Sequence, residues 1–388
     1  MRLFFCVYFL VSSLQVKQTV FIPSGAGAPG FAGICKELQQ LGGYCVVAGD
    51  MRTGVYGASL ADEFVVMPSS MDEGYVEAVI RNAKEFAAGV ILPITTAELM
   101  VLSKNRKQIE ESTGATVIVS EINGLEIANN KGRLYEFCEE NGFRVPAFDI
   151  VSNCSEFEDA CSTLGISHRD LCFKPVIGNG SRGFGLVSQS VNDNWLVEKA
   201  GLLALDVDEW KKRLPDGQFE NDLLLSVYLP GIEFSIDMLC ENGKVLKCFP
   251  RSRDKMIGGI SVAGTWMREE KLMGDCVALA GALGLHGVIG MQWKMGVDGE
   301  LYLLEINPRL QGTTCALNLV GEHLAVDTVN MALGKRVDEM EGMETFYANN
   351  GEMDINYIEG ATLESPVGKK TFQGWGKSFV RFWEERLL

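Results

Sequence analysis

The sequence predicts an α/β unit in the first third of the chain and an α+β body beyond it. Three observations carry this. From Thr19, short apolar runs alternate with segments of helical periodicity, the β-α-β rhythm of a parallel sheet with right-handed crossovers. From Leu223, apolar strands follow one another across Asn-Gly and Asp-Gly turns, the mark of antiparallel hairpins. The chain has 388 residues, 47% apolar and 22% charged, enough for two or three domains with substantial cores.

In the first unit, Thr19 to Pro23 reads as a strand. Phe31, Ile34, Cys35, Leu38 and Leu41 then recur at helical spacing. Tyr44 to Ala48, Phe64 to Met67 and Val90 to Ile94 are further strands, with a helix over Tyr75 to Ala87. Thr95 with Glu98 forms a capping box that opens the next helix. Between the first strand and helix lies Gly25-x-Gly27-x-x-Gly30, with Asp50 20 residues further on. That is the layout of a dinucleotide-binding turn. The spacing alone is weak, and Pro29 interrupts it; a tight turn exposing a helix N-terminus is the plainer reading.

A second unit starts near Thr116. Helices are predicted over Glu121 to Ala128, Lys131 to Glu140 and Glu156 to Leu164, the second ended by Asn141-Gly142. Leu171 to Val176 and Gly185 to Val187 are strands flanking a glycine-rich loop. The third unit has strands over Leu223 to Tyr228, Phe234 to Leu239, Lys244 to Cys248 and Val288 to Met295. Helices cover Glu269 to Leu283 and Glu322 to Leu333.

Lys+Arg 35 against Asp+Glu 51 gives −16, which argues against wrapping nucleic acid, whose binding needs phosphate neutralisation. Small anions stay open, because a few local cations outweigh the global field. Eleven scattered cysteines without Cys-x-x-Cys read as free thiols in a reducing compartment, hence a cytoplasmic protein. Three histidines and no His-Glu-x-x-His leave little for a zinc site. Arg2 followed by an apolar run to Val11 has the form of a secretory signal and is too short to span a bilayer. A packed or non-native extension is the competing reading.

Three stretches carry chemistry. In Leu301-Tyr302-Leu303-Leu304-Glu305-Ile306-Asn307-Pro308-Arg309, alternation puts Glu305, Asn307 and Arg309 on one face of a strand. A carboxylate, an amide oxygen and an arginine fork suit magnesium held together with phosphate. Lys174 sits in the apolar strand Phe173 to Val176, where an unpaired ammonium is costly and calls for an anion. The loop Gly178-Asn179-Gly180-Ser181-Arg182-Gly183 behind it suits a flap over phosphates. In Tyr228-Leu229-Pro230-Gly231-Ile232-Glu233, an apolar strand breaks at Pro-Gly, freeing backbone groups for an adenine edge and Glu233 for ribose hydroxyls.

The order lysine strand, glycine flap, Tyr-Leu-Pro-Gly-x-Glu and Glu-x-Asn-Pro-Arg resembles the ATP-grasp superfamily. Within it, the chain is most similar to single-module relatives of the ATP-binding domains of carbamoyl-phosphate synthase. The resemblance spans roughly Thr19 to Gly334. It implies a Rossmann-like pre-ATP-grasp domain that helps bind substrate rather than NAD, followed by a two-lobed ATP-grasp domain. The expected boundaries are 1–17 for the apolar extension, 18–115 for the pre-domain, 116–190 and 191–335 for the two lobes, and 336–388 for a C-terminal extension.

The resemblance also assigns roles. Lys131 and Lys174 meet the phosphates; Gly178, Gly180, Ser181 and Gly183 form the flap. Tyr228 and Leu229 line the adenine site, and Glu233 binds ribose. Gln292, Glu305 and Asn307 hold metal, and Arg309 faces the transferred phosphate. Two departures stand out: Val227 replaces a linker glutamate common in relatives, and Gln292 stands where many have an acid. From the residues themselves, Arg251 and Arg253 share a strand face and suit a substrate carboxylate.

The implied activity is an ADP-forming carboxylate–amine ligase working through an acyl phosphate, with ATP and Mg²⁺ (or Mn²⁺) as cofactors. A carboxylate–thiol ligase, an acyl-phosphate maker and a non-catalytic nucleotide-binding protein are the alternatives. An NAD-dependent oxidoreductase rests on the Gly25 loop alone. The expected partners are a small carboxylate and an amine, with no nucleic acid and no stable membrane insertion; a homodimer is left open.

Overall fold

The computed structural model describes residues 17–178, 183–189, 204–257, 260–337 and 353–356. The apolar start, Gly180, Ser181 and most of the C-terminal extension lie outside the described residues.

The first unit comprises β1 (Thr19–Ile22), α1 (Phe31–Gln40), β2 (Cys45–Asp50), β3 (Glu63–Val66), α2 (Tyr75–Glu85), β4 (Ala88–Ile91), α3 (Thr96–Lys104), α4 (Arg106–Thr113) and β5 (Thr116–Val117). Its sheet is parallel throughout, in the order β3-β2-β1-β4-β5. Val20, Phe21 and Ile22 are buried on both faces, which is why β1 reads as an unbroken apolar run. The capping box at Thr95 and Glu98 is present. Helix α4 had no expectation behind it: of its residues only Ile109 is buried, too little to mark a period.

Strand order reverses between β1 and β4, the usual place for a ligand in such sheets. Here the glycine loop closes on it. A Cβ on Gly25 would lie 2.6 Å from the Thr95 methyl. Asp50 accepts from the Gly27 N–H at 3.0 Å and from the Arg52 N–H at 3.0 Å. The carboxylate that would grip a ribose is turned onto its own loop, so the glycines serve a structural turn.

The second unit holds α5 (Ile122–Ala128), α6 (Lys131–Glu140), β6 (Phe148–Asn153), α7 (Cys154–Thr163), β7 (Leu171–Pro175), β8 (Gly185–Val187), β9 (Ala204–Leu205), α8 (Val207–Lys211) and β10 (Gln218–Val227). The sheet order is β6-β10-β7-β8-β9. Strand β10 pairs antiparallel with both β6 and β7. The sequence reading placed it in the third unit; its apolar run Leu223 to Leu225 instead fills the middle of the second sheet.

The third unit contains β11 (Glu233–Glu241), β12 (Lys244–Ser252), β13 (Lys255–Ile257), β14 (Ile260–Trp266), α9 (Glu270–Ala282), β15 (Gly287–Met295), β16 (Leu301–Asn307), α10 (Leu324–Ala332) and β17 (Met353–Asn356). Its sheet is antiparallel, β13-β14-β12-β11-β15-β16, with β17 added on β14. Asn242 and Gly243 both have positive φ, as the tight turn between β11 and β12 requires.

Helix α1 shares one core with the third unit: Phe31, Ile34 and Leu38 cluster with Leu319, Leu324 and Val329. A Cβ on Gly30 would lie 2.6 Å from the Cα of Gly312, so the glycine loop and the chain after β16 touch backbone to backbone. Glu37 of α1 accepts from the N–H groups of Ala325 and Val326 at 2.8 and 3.0 Å. These contacts fix the pre-domain against the third sheet.

Candidate nucleotide and metal site

The site gathers where the second and third sheets meet. Strand β16 is bulged: Gln292 faces Glu305, while the next pair is Trp293 with Leu303, which leaves Leu304 outside the ladder. The Leu304 carbonyl accepts from the Lys174 ammonium at 2.9 Å and from the Tyr135 hydroxyl at 3.4 Å. The bulge turns the Leu304 carbonyl to the lysine.

Lys131 opens α6 and is 7% exposed. Its ammonium donates to the Gly178 carbonyl at 2.7 Å, at the root of the flap, and lies 3.9 Å from Glu305. Burial pushes the Glu305 carboxyl up, but Lys174, Lys131 and the Asn307 amide together pull it below the usual carboxylate range. Burial holds both lysines below the ordinary ammonium value, with the Glu305 charge working against it. Two desolvated ammonium groups thus share one carboxylate, a balance that favours a further anion.

Glu305 also accepts from the Asn307 amide at 3.0 Å. Across the sheet, the register runs Ser235–Gln292–Glu305, with Asn307 opposite Gly290. The register thus places Gln292, Glu305 and Asn307 near one another on neighbouring strands. Among the described residues no three acidic, cysteine or histidine side chains converge. A metal held here would need phosphate oxygens to complete its shell, the usual habit of magnesium.

Arg309 lies past the end of β16. The Arg309 N–H donates to the Asn307 carbonyl at 2.7 Å in a turn around Pro308. The side chain leans toward the pre-domain: Nε donates to the Thr96 hydroxyl at 2.8 Å and Nη1 to the Leu310 carbonyl at 2.9 Å.

The linker between β10 and β11 is partly paired with its neighbours. The Tyr228 N–H donates to Asp170, the Gly231 N–H to Met295, and Ile232 accepts from Met295. Three of the linker's backbone groups are therefore already paired within the protein. Leu229 is buried, and the Tyr228 ring lies 5.1 Å beneath the Lys294 ammonium.

Arg251 and Arg253 share a face but separate in their contacts. Arg253 pairs with Glu233, whose other oxygen lies 3.8 Å from Lys294. Arg251 is 2% exposed and donates to Ser261 at 3.0 Å and Thr313 at 2.9 Å, with buried Asp237 4.0 Å away. Asp237 in turn accepts from Thr314 at 2.6 Å and Gln311 at 3.1 Å. Gly178 and Gly183 flank the flap segment, Gly183 at positive φ against Pro175.

Sequence reasoning missed Lys294, Asp237, Gln311 and Thr96. Lys294 had a usable signal, two residues beyond Gln292 on the same strand face.

Two buried lysines beside a carboxylate, between two such sheets, are compatible with a nucleotide site. Comparison with known proteins agrees. Residues 219–360 match a family described as ATP-grasp in the biosynthetic pathway with Ter operon, and residues 33–118 match a PylC-like N-terminal domain. An ATP-grasp model thus matches the C-terminal part of the chain and a PylC-like model the N-terminal part, and its relatives include carbamoyl-phosphate synthases. It is 23% identical over 341 residues to a carbamoyl-phosphate synthase of Methanobrevibacter smithii, covering 81% of this chain and 82% of that one. It is also 23% identical to the synthase large chain of Mesorhizobium japonicum, but covers only 22% of its length. The fold is similar to N5-carboxyaminoimidazole synthetase from Staphylococcus aureus complexed with ADP (TM-score 0.62, 15% identity, 89% of this chain and 84% of that one). It is likewise similar to an L-amino acid ligase from Bacillus licheniformis (TM-score 0.60, 17% identity, 89% and 82%). Among the described residues no helix is long and apolar enough to cross a membrane.

Proposed function

We propose that the chain is an ADP-forming carboxylate–amine ligase. The observation that carries this is the convergence of Lys131 and Lys174 on Glu305 at the β16 bulge, a desolvated site with cations to spare for a triphosphate. The likeness to an L-amino acid ligase and to an ADP-bound synthetase supports the same reading.

A carboxylate oxygen attacks the γ-phosphorus of ATP, and the bond to the β-phosphate oxygen breaks to give an acyl phosphate and ADP. The amine nitrogen then attacks the acyl carbon, phosphate leaves and the nitrogen loses its proton. Lys131 and Lys174 neutralise the phosphates, and Arg309 steadies the phosphoryl group in transit. Glu305, Asn307 and Gln292 would hold Mg²⁺, which supplies charge neutralisation when bound. The flap, with Gly178, Gly180, Ser181 and Gly183, excludes water from the acyl phosphate. Tyr228 packs against the adenine, Leu229 contributes the remaining linker contact, and Glu233 takes the ribose.

The test is a screen of carboxylate and amine pairs for ADP release, with mass spectrometry of products. Amide formation stoichiometric with ADP, requiring both substrates, is expected. Hydroxylamine should trap the intermediate as a hydroxamate. ADP release independent of any carboxylate overturns the proposal.

Arg253 is assigned to Glu233 rather than to the carboxylate. Arg253→Ala should raise the KM for ATP roughly tenfold, the weight of one charge-assisted hydrogen bond. The KM for the carboxylate should hold. A rise confined to the carboxylate KM would return Arg253 to the substrate.

A further inference from the structure

We propose that Thr96 of the pre-domain is a positioning residue for Arg309, its hydroxyl setting the plane in which the guanidinium meets the transferred phosphoryl group. The inference rests on the role given to Arg309 above.

The geometry is specific. Arg309 Nε donates to Thr96 Oγ1 at 2.8 Å, across 213 residues of sequence. Nη1 donates to the Leu310 carbonyl at 2.9 Å. A guanidinium carries five N–H donors in a rigid plane. With two of them seated on fixed oxygens, the plane is set before any phosphate arrives. Such preorganisation is what a site stabilising charge in transit requires.

Both anchors are themselves held. Thr96 is the first residue of α3, and the turn before it is pinned by Glu98, which is 0% exposed. Glu98 accepts from the Ile94 N–H at 3.0 Å, the Thr95 N–H and hydroxyl at 2.9 Å each, and the Tyr75 hydroxyl at 2.8 Å. On the other side, the backbone contact between Gly30 and Gly312 fixes the chain just after Arg309. A cation at a helix N-terminus is opposed by the helix dipole. Here a hydroxyl acceptor and the nearby Glu98 carboxylate offset that, so the arginine stays where packing of the α3 end alone would not place it. The pre-domain thereby shapes the phosphoryl site through a residue that does not itself touch the phosphoryl group.

The test uses the full chain and two probes, MgADP alone and MgADP with aluminium fluoride as a mimic of the phosphoryl group in transit. Affinities are measured by calorimetry for the wild type, Thr96→Val, Thr96→Ser, Arg309→Ala and the double variant Thr96→Val/Arg309→Ala. Thr96→Val should weaken the fluoride complex roughly fivefold, the weight of one hydrogen bond, and leave MgADP within about twofold. Thr96→Ser should restore it, and the double variant should match Arg309→Ala. If Thr96→Val binds the fluoride complex like the wild type while Arg309→Ala loses it, the Thr96 role is wrong and the Arg309 assignment stands. Equal weakening of both probes, or no rescue by serine, also overturns it. Wild-type binding by Arg309→Ala sinks the Arg309 assignment and this inference with it.

Discussion

Lys174→Ala is expected to cut ADP formation by roughly 10²–10³-fold, the loss typical of one preorganised charge partner in a transition state. The reason lies in where the ammonium sits. β7 places it in the centre of the second sheet, and the bulge in β16 offers it the Leu304 carbonyl from the third. It thus bridges the second and third sheets at the proposed nucleotide site. Without it, Glu305 keeps Lys131 alone, and the phosphates lose one of two buried cations. Stability should change little, because burial already disfavours this charge and its removal relieves that cost. Glu305→Gln should be similarly inactive for the opposite reason: it removes the carboxylate proposed to hold metal and leaves the two ammonium groups without their shared counter-charge. The check is ADP formation beside the urea unfolding midpoint. Turnover within about threefold of wild type in Lys174→Ala, with the fold intact, would remove Lys174 from the phosphate site.

How much of this was legible follows from the range of each signal. Lys174, Glu305 and Asn307 stand out in the sequence because a charged or amide side chain in an apolar strand violates a local pattern. The parallel and antiparallel halves were readable from turn chemistry and periodicity, both local. Register was not. The bulge at Leu304 shifts one residue across a sheet, and β16 alone carries no mark of it. Strand β10 was placed with the wrong sheet because an apolar run fits either neighbour, and pairing is a long-range choice. Arg251 and Arg253 looked equivalent by alternation. Their partners, Asp237 and Glu233, stand on β11 and separate them only once the sheet is formed. The Gly25 loop and Asp50 have the spacing of a dinucleotide site, but the same residue types make a tight turn, the plainer reading and the one the Asp50 hydrogen bond supports. Thr96 and Arg309 meet across domains, beyond the reach of any motif.

The cross-domain cap at Glu37 should make stability depend on pH in a direction unusual for a carboxylate. Helix α10 begins after His323, whose side chain does not cap it. The first N–H groups of α10 instead find Glu37 from α1, itself 3% exposed. Burial pushes the Glu37 carboxyl up to about 7; the N–H groups of Val326 and Ala325 and the Asn318 amide pull it back only in part, and Asp327 adds to the rise. Asp327 is itself tied, with Glu322, to Lys247 at 2.9 and 2.7 Å, and His323 bonds Asn318 at 2.8 Å. A carboxyl whose folded value lies above its unfolded one binds protons more readily in the folded state. Its contribution is therefore fully present below about pH 4.5 and is lost as pH rises to about 7 and beyond. The window corresponds to on the order of 3 kcal/mol. Glu37→Gln keeps an oxygen acceptor for both N–H groups and cannot titrate. It should be less stable than wild type, or equal, near pH 5 and gain on it steadily up to pH 8. Glu37→Ala should lose about 2–4 kcal/mol across the range, because two buried donors are left without an acceptor. Urea unfolding at four pH values decides it. If the Gln variant and the wild type run parallel from pH 5 to 8, Glu37 does not titrate in this window, and the cap is held by a carboxylate that the α10 N-terminus and Asn318 stabilise outright.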